Sequence, residues 1–557
     1  MQHKNPNTKN RIIIRLNAAA ILTMCLLVTA CGKKQNNAQS SEPDYSFKRP
    51  DFTPDYDNFG VSANPSGVNM TYYSDIYSRG FSWLTDKDTE GTELYLVKSD
   101  KGTEADFSQA ELISGTSAVL TYSKSGTVTG GGLNGSGFSN TSEVKLASHK
   151  VHIENLEKGT AYSYKLGSPA GYYYGAFAVE RDNPKEITAI HLSDAQTKDL
   201  KKTDIWRQTF VNAVETAGNK LDTVLYNGDQ FDQNNSTGND KEPFRLYRYA
   251  KAIDVIQDYK FNVPYMISSG NHEPSTPYCQ YLMNDVNYKD NYDVSGAYYS
   301  YDYNFAHFVV LNTNKIDNAQ ISWLQNDLDS ASTAKWKIVM MHISPYTTGD
   351  HSDDDENRTI CQKLAPIFSS KHVDLVLQAH DHTYNKTLPY KWDAAGYTET
   401  KNDENVVNFH VENETKDNVV YDKNPNGTYY VTTGAAGHRC GEEEKDGIYA
   451  EVVYENGEAK GLRSNKTFLT RKYKAECGKL TQSNQYKPYS FTSSGTTYTS
   501  NQDYKVGDLA TGNVNARMFG ILNLTETTMS YHVYTSRYDD NNQNEVKLFD
   551  TLDVLKA

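Results

Sequence analysis

The feature of the sequence that most constrains its fold is a series of five short apolar segments, each followed closely by side chains that can bind a metal ion. The segments comprise residues 187–192, 222–226, 263–267, 336–341 and 373–377. Apolar runs of this length predict buried strands. Helical patterns separate the first three, near residues 205–214 and 242–258. Strands that alternate with helices are typical of an α/β sheet.

Polar residues of a consistent type follow the five predicted strands. In chain order they are Asp194 and Gln196, Asp229 and Asp232, Asn271 to Glu273, His342, and His380 with His382. Because ligands in open α/β sheets bind beyond the carboxyl ends of the strands, we expect these groups to converge. Each group alone is common, but five in this order are hard to obtain by chance. Carboxylate, amide oxygen and imidazole donors without a thiolate suit Mn, Fe or Zn, and a shared carboxylate suits a pair of ions.

This series resembles the calcineurin-like metallophosphoesterase superfamily. A β-rich segment in front of it makes the purple acid phosphatase branch the most similar, and the resemblance runs from about Asn69 to the C-terminus. Residues 428–437, 516–522 and 546–552 resemble the closing strands of that family. The resemblance implies an α/β fold, a four-layer α/β/β/α sandwich, preceded by a small all-β sandwich domain.

The resemblance also implies a centre of two divalent or trivalent metal ions, Fe, Mn or Zn. The implied ligands are Asp194, His382 and the candidate Gln196 for the first ion, Asp229 as the bridge, and Asn271, His342 and His380 for the second. Hydroxide on the metals would attack phosphorus in line. His272 would face the phosphoryl group and donate to the leaving oxygen, and His351 would be a second substrate-facing histidine.

Two positions depart from the family pattern. Asp232 stands where purple enzymes carry a tyrosine ligand to ferric iron, so we expect no purple colour and no special need for Fe(III). Gln196 stands where the general motif has histidine. An amide is a weaker ligand than imidazole. The first ion would therefore bind more weakly, or Gln196 would hold only a water or a phosphate oxygen.

The sequence thus predicts a binuclear-metal hydrolase of phosphate mono- or diesters, with a small-molecule substrate. Two alternatives stay open, namely a cyclic-nucleotide or nucleotide-sugar phosphodiesterase, and a catalytically weak surface binding protein that keeps the fold. The chain carries 56 Lys and Arg against 70 Asp and Glu, a net charge of −14. An acidic surface repels a phosphate backbone, so no stable nucleic-acid partner is expected. The sequence does not fix the oligomeric state.

The N-terminus predicts export and a lipid anchor. Basic residues precede an almost entirely apolar run over residues 18–30, which is too short to span a bilayer comfortably and suits a signal peptide. The run ends at Cys31 in a sequence that resembles the bacterial lipobox. We therefore expect a protein anchored by lipid to the bacterial cell membrane, outside the cytoplasm. An ordinary signal peptide that happens to contain a cysteine is the alternative.

The predicted domains follow from these patterns. They are a lipoprotein signal peptide over residues 1–30, a flexible tether over 31–55, a β-sandwich over 56–183 and a catalytic domain over 184–557. The stretch 149–167 resembles a fibronectin type III strand with its Tyr-x-Tyr pattern, and the domain would be a docking wall or a spacer. Irregular insertions at about 386–426 and 440–515 are expected to act as lids.

Four cysteines remain after the signal peptide and Cys31 are set aside. They are Cys279, Cys361, Cys440 and Cys477. Outside the cytoplasm they allow two disulfides. Four cysteines can pair in three ways, and the pairing that joins Cys440 to Cys477 is favoured.

Overall fold

The computed structural model describes most of the chain between residues 62 and 556. The described residues are 47–49, 62–122, 144–197, 203–230, 250–273, 297–347, 351, 355–382, 384–387, 389, 391–392, 412–437, 453–455, 458–459, 490–493, 496–500, 516–538 and 544–556. The predicted signal peptide, Cys31 and most of the tether lie outside them. The chain divides into residues 1–44 and a compact unit from Tyr45 to Ala557. Within the described residues, no helix has the length and apolar character needed to cross a membrane.

A β-sheet-rich region precedes the catalytic domain. Its strands are β1 (Ser66–Thr71), β2 (Arg79–Asp86), β3 (Glu93–Lys98), β4 (Glu111–Ser114), β5 (Thr116–Tyr122), β6 (Val144–Ile153), β7 (Ala161–Ser168) and β8 (Gly171–Ala178). They form two antiparallel sheets, in the orders β1-β2-β6-β5 and β4-β3-β7-β8. Short 3₁₀ helices, Gly102–Glu104 and Phe107–Gln109, connect β3 to β4.

The two sheets of this region share one apolar core. Side chains alternate along a strand, so one face of each sheet can turn inward. Phe81 and Trp83 from one sheet pack with Leu94 and Leu166 from the other. Beside this core, the backbone N–H of Glu157 donates to the hydroxyl of Tyr162 at 3.2 Å. A tyrosine near the start of a strand that bonds back to the preceding corner is typical of immunoglobulin-like sandwiches.

The catalytic domain begins with an eight-stranded mixed sheet. Its strands are β9 (Glu186–Leu192), β10 (Thr223–Tyr226), β11 (Tyr265–Ile267), β17 (Glu412–Lys416), β18 (Val419–Lys423), β24 (Ala516–Thr525), β25 (Thr528–Tyr538) and β26 (Asn544–Leu555). Their order is β11-β10-β9-β24-β25-β26-β18-β17. The first three strands in the chain are parallel. Their carboxyl ends therefore meet at one edge of the sheet.

A second, six-stranded sheet carries the remaining predicted strands. It contains β12 (Tyr299–Tyr303), β13 (Ala306–Val310), β14 (Trp336–Ile343), β15 (Leu375–Ala379), β16 (Tyr384–Lys386) and β19 (Tyr429–Thr433). The order is β12-β13-β14-β15-β19-β16, and the four central strands are parallel. Metal-binding candidates therefore come from two sheets, three groups from the first and two from the second.

Helices cover the outer faces of the two sheets. They are α1 (Thr203–Ala217), α2 (Gln257–Lys260), α3 (Asn318–Ser330) and α4 (Asp355–Ser370), with a 3₁₀ turn at Gly218–Lys220. Along β14, Ile338 and Met340 face the core that the sheets share. Val339 and Met341 face the helical side, where Leu324 and Leu364 pack. This alternation gives helix, sheet, sheet and helix in succession, and the predicted four-layer fold is confirmed.

The elements differ from the predictions in two places. Of the predicted helix over residues 242–258, residues 242–249 lie outside the described residues, while the chain is helical over 250–254, turns at 255–256 and continues as α2. Strand β14 runs on to Ile343, so His342 lies inside a strand instead of after its end. The register with β15 shifts between Met340 and Ile343. His342 lies on the same face of β14 as Ile338 and Met340, which is the face toward the other sheet.

The β-rich region packs directly on the catalytic domain. Tyr72, Ile76, Leu84 and Leu146 belong to the same buried cluster as the strands of the catalytic sheets. Polar contacts are buried there as well. The carboxylate of Asp254 accepts hydrogen bonds from the Ser66 hydroxyl and the Gly67 N–H, both at 2.6 Å. These contacts favour the docking alternative over a spacer.

The two predicted insertions contain strands in their described parts. Strands β17 and β18 form a hairpin that extends the eight-stranded sheet beyond β26. Residues 412–423 are therefore regular and not irregular as predicted, whereas the lid role stays a prediction. A separate antiparallel sheet has the order β21-β20-β23-β22. Its strands are β20 (Val453–Glu455), β21 (Glu458–Ala459), β22 (Ser490–Ser493) and β23 (Thr496–Ser500).

Only one of the four cysteines lies in the part of the chain that the structure describes. Cys361 is buried in α4, 1% exposed, among the apolar residues that cover the six-stranded sheet. Cys279, Cys440 and Cys477 lie outside the described residues. The favoured pair therefore stays a prediction.

Candidate metal centre

Asp229 lies at the centre of the candidate site. It lies three residues after the end of β10 and has a positive φ of 55°, after Gly228 with a φ of 83°. Its Oδ2 lies 3.3 Å from His342 Nε2 and accepts a hydrogen bond from the amide of Gln196 at 3.1 Å. Two neighbouring residues in left-handed conformations turn the chain sharply after the strand. The turn aims the carboxylate of Asp229 into the space between the two sheets.

The side chain of Asn271 joins the two histidines of the six-stranded sheet. Its Oδ1 lies 2.9 Å from His342 Nε2 and 3.1 Å from His380 Nδ1. One ligand atom from each of Asp229, His342 and His380 can be chosen so that all three lie within 4.8 Å of one another. Four donors from four chain segments therefore surround a common point. These are the residues that the resemblance assigns to the second ion.

The imidazole of His342 provides a test of whether this cluster fits a cation. Its Nδ1 lies 2.7 Å from the carbonyl oxygen of Asn227, to which it can donate a hydrogen bond. In the neutral ring, Nε2 then carries a lone pair and faces two oxygens, those of Asn271 and Asp229. Lone pair and oxygens repel one another unless a cation lies between them. A backbone carbonyl that fixes the tautomer in this way is typical of metal-binding histidines.

Asp194 and His382 lie together beside this cluster. Asp194 follows β9 with a φ of 51° and is fully buried. Its Oδ2 accepts from the N–H of His380 at 3.2 Å, and its Oδ1 lies 3.7 Å from His382 Nε2. That Oδ1 is buried and has no hydrogen-bond partner among the described residues. A buried carboxylate oxygen without a donor is costly, and a metal ion would satisfy it.

The side-chain amide of Gln196 contacts the central carboxylate. Its Nε2 donates to Asp229 Oδ2, and its backbone N–H donates to the carbonyl of Asp229 at 2.9 Å. The amide nitrogen, which cannot bind a cation, therefore faces the central carboxylate. Gln196 holds Asp229 in place in this arrangement. Asp232, the other departure from the family pattern, lies outside the described residues.

The charged groups of the cluster lie close together and shift the pKa values of one another. Burial raises the pKa of Asp229, but the imidazoles of His342 and His272 more than offset this and hold its pKa below its usual range. Burial lowers the pKa of His342, but Asp229 outweighs it and raises the pKa of His342 to about 10. Burial raises the pKa of Asp194; His342 opposes this increase and the charge of Asp229 adds to it. A proton on His342 thus neutralises Asp229, a role that a metal cation would take over.

The two histidines predicted to face the substrate border the cluster. His272 Nε2 lies 3.7 Å from Asp229 Oδ2, and its backbone N–H donates to Asp229 Oδ1 at 2.9 Å. The ring of His351 stacks on that of His380, with 3.9 Å between the centroids. Its backbone N–H donates to Asp381 Oδ1 at 3.0 Å. Both rings therefore lie beside candidate ligands and are partly exposed.

Glu273 is a residue whose role sequence reasoning missed. Its buried carboxylate accepts backbone N–H groups from Asp229 and Gln230, both at 2.7 Å, and from Gly270 at 2.9 Å. It therefore ties the turn after β10 to the turn after β11. The only sequence signal is an acidic residue directly after His272, which does not reveal that its partners are backbone groups of another turn.

Comparisons with known proteins agree with this geometry. Residues 187–384 match the family model of the calcineurin-like phosphoesterases. The chain is 25% identical over 324 residues to acid phosphatase type 7 of Mus musculus, covering 53% of this chain and 65% of the mouse protein. It is 25% identical over 254 residues to purple acid phosphatase 21 of Arabidopsis thaliana, covering 43% of this chain and 53% of the plant protein. The aligned part is thus less than two thirds of either relative.

Solved structures show the same fold. A purple acid phosphatase from yellow lupin (Lupinus luteus) seeds superimposes with a TM-score of 0.54 at 14% identity, covering 88% of this chain and 74% of that protein. The structure of PhoD superimposes with a TM-score of 0.50 at 11% identity, covering 90% and 92%. Residues 187–384 therefore form a domain that is similar to the calcineurin-like phosphoesterases.

Proposed function

We propose that this protein hydrolyses phosphate mono- or diesters at a centre of two metal ions. One observation carries the proposal, the convergence of Asp229, Asn271, His342 and His380 from two sheets on a common point. Asp194 and His382 would hold the first ion, and Asp229 would be shared. The donor set suits Mn, Fe or Zn. The acid phosphatase and purple acid phosphatase names of the relatives agree with this reaction class.

The residues around the centre would divide the work of hydrolysis. When bound, the metal ions supply Lewis-acid polarisation of a phosphoryl oxygen and lower the pKa of water. Asn227 and Glu273 hold the ligands in position through hydrogen bonds to the ring of His342 and to the turn at Asp229. His272 and His351 border the ligands from the exposed side. There His272 can hold a proton for the leaving oxygen.

The experiment that tests this function uses purified full-length protein and two chromogenic substrates, an aryl phosphate and a bis-aryl phosphodiester. We expect hydrolysis of at least one, its loss after treatment with a chelator, and its return on addition of Mn²⁺ or Zn²⁺. Metal analysis of protein purified without added metal should find up to two ions per chain. Hydrolysis that is insensitive to the chelator, or no hydrolysis of either ester with metal present, would contradict the proposal.

Replacing His272 by Ala is expected to slow hydrolysis of esters with poor leaving groups by about 10²–10³-fold. Esters with a good leaving group, such as nitrophenolate, should lose about tenfold or less, because they leave without a proton. The measurement is kcat for a series of aryl phosphates of increasing leaving-group pKa. An equal loss across the series would remove the proton-donor role from His272.

The same proposal includes export and a lipid on Cys31, which is supported by the apolar run and the small residues around that cysteine. A lipid anchor would place the catalytic domain on the outer side of a bacterial cell membrane. Fractionation of cells that express the wild type and Cys31→Ser would test this. We expect the wild type in the membrane fraction and the variant released from it; equal distribution would argue against the anchor.

The β-rich region would be a fibronectin type III-like domain that docks on the catalytic domain. Support comes from its two packed antiparallel sheets and from the corner hydrogen bond between Glu157 and Tyr162. Its tight packing on the catalytic core predicts that the two parts unfold together. A calorimetric scan with two separate transitions, one for each part, would contradict such docking.

A further inference from the structure

The turn that carries Asp194 and Gln196 is strained. Their φ angles are 51° and 39°, in the left-handed region that side chains other than glycine rarely adopt. Residues in this region are disfavoured, and they persist only where the surrounding structure fixes them. Contacts from other parts of the chain must therefore hold the residues that the proposed function assigns to the first ion.

Hydrogen bonds to the neighbouring turn fix this segment. The backbone N–H groups of Asp194, Gln196 and Thr197 donate to carbonyl oxygens of the turn after β10, at 3.0, 2.9 and 3.0 Å. The N–H of Ala195 donates to a side chain instead. Its acceptor is the hydroxyl of Tyr226, at 3.0 Å. Both groups are buried, since Ala195 and Tyr226 are each 0% exposed.

Packing on both sides fixes the ring of Tyr226. Trp206 contacts it edge-on, with 5.6 Å between the ring centroids, and Tyr265 stacks on it at 5.5 Å and 20°. The indole N–H of Trp206 is itself held by the carbonyl of Ala252 at 2.9 Å. A ring packed in this way cannot change rotamer freely. The position of its hydroxyl is therefore set by the core, independently of the strained turn.

We propose that Tyr226 is a positioning residue for the first metal site. Its hydroxyl holds the peptide bond between Asp194 and Ala195 through the N–H of Ala195. This contact keeps the carboxylate of Asp194 directed toward the first ion. Asn271, His342 and His380, which would hold the second ion alone, come from other turns, and among the described residues the N–H of Ala195 donates to Tyr226 and not to any of them. The inference rests on the proposed two-ion centre. It predicts that loss of the Tyr226 hydroxyl weakens binding of the first ion and leaves the affinity for the second ion unchanged.

The test is a calorimetric titration of metal-free, full-length protein with Mn²⁺. Four proteins are compared, namely the wild type, Tyr226→Phe, Tyr301→Phe as control and His382→Ala as reference. His382→Ala identifies the first-site binding event by weakening it. Tyr301 is a matched control because its hydroxyl is buried in the same core and has no hydrogen-bond partner among the described residues. Thermal unfolding is measured for each protein.

We expect Tyr226→Phe to weaken the event that His382→Ala identifies by about tenfold, which corresponds to about 1.4 kcal/mol. The other event should keep its affinity within about twofold, and Tyr301→Phe should leave both unchanged. If an ester is hydrolysed, Tyr226→Phe should need a higher Mn²⁺ concentration than the wild type for half-maximal activity. At saturating Mn²⁺ its kcat should approach that of the wild type. A purely structural role would not produce this selective dependence on the metal.

Three outcomes would overturn the assignment. The first is wild-type affinity for both ions in Tyr226→Phe, and the second is equal weakening of both events. A wild type that binds fewer than two Mn²⁺ ions would overturn the two-ion centre itself, together with this inference. The first two outcomes leave the proposed function intact, so the two failures are distinguishable.

Discussion

Replacing Asp229 by Asn is expected to lower kcat for phosphate ester hydrolysis by at least about a thousandfold, or about 4 kcal/mol of transition-state stabilisation. The carboxylate is the central group of the site, 3.3 Å from His342 Nε2 and 3.1 Å from the amide of Gln196. Asparagine keeps the shape but removes the negative charge that two cations would share. It also brings an NH2 group that cannot bind a metal. The measurement is kcat at saturating Mn²⁺.

The control for this substitution is Asp182→Asn. Asp182 pairs with Lys158 at 2.6 Å, and its side chain is 78% exposed, so the substitution removes the same charge far from the buried cluster. We expect wild-type kcat in this variant. Circular dichroism and thermal unfolding should show that Asp229→Asn remains folded. A folded Asp229→Asn protein with kcat within about tenfold of the wild type would exclude Asp229 as the bridging ligand.

Replacing Gly228 by Ala is expected to destabilise the protein by about 3 kcal/mol or more, and to remove activity in any fraction that folds. Gly228 has a φ of 83°, and an added Cβ would lie 2.5 Å from the backbone nitrogen and 2.7 Å from the Cα of Gly270. The left-handed conformation costs about 1–2 kcal/mol and the overlap about 1–3 kcal/mol. Relief of the overlap would move Gly270, and with it Asn271. Urea unfolding measures the change in stability.

A second glycine separates the two contributions. Gly218 has a φ of 73°, but an added Cβ there would meet no atom within 4 Å. Gly218→Ala should therefore show the conformational cost alone, about 1–2 kcal/mol, with unchanged kcat. Equal destabilisation in both variants would show that the approach of Gly228 to Gly270 adds nothing. In that case the two turns would not be packed as closely as the structure indicates.

The sequence was sufficient for the fold class, and it supplied the candidate ligands, several of which the structure brings together. Buried strands are recognisable because both of their faces are apolar, as along β14 and β15. Polar residues that interrupt such runs, such as Asp229 after β10, stand out for the same reason. Element bounds were less predictable. Strand β14 continues through His342, and the predicted helix before α2 is broken at residues 255–256, because hydrogen bonds between neighbouring elements determine where an element ends.

Tertiary structure alone decided how these residues meet. The sequence could not show that the donors come from two facing sheets, since sheet membership depends on strand order and not on the apolar pattern. Nor could it show that the amide NH2 of Gln196 faces Asp229, or that Glu273 and Tyr226 hold the turns. Each of these contacts joins side chains and backbone groups from separate turns. A local pattern specifies which residues are apolar or can bind a metal, whereas their partners are fixed only when the whole chain packs.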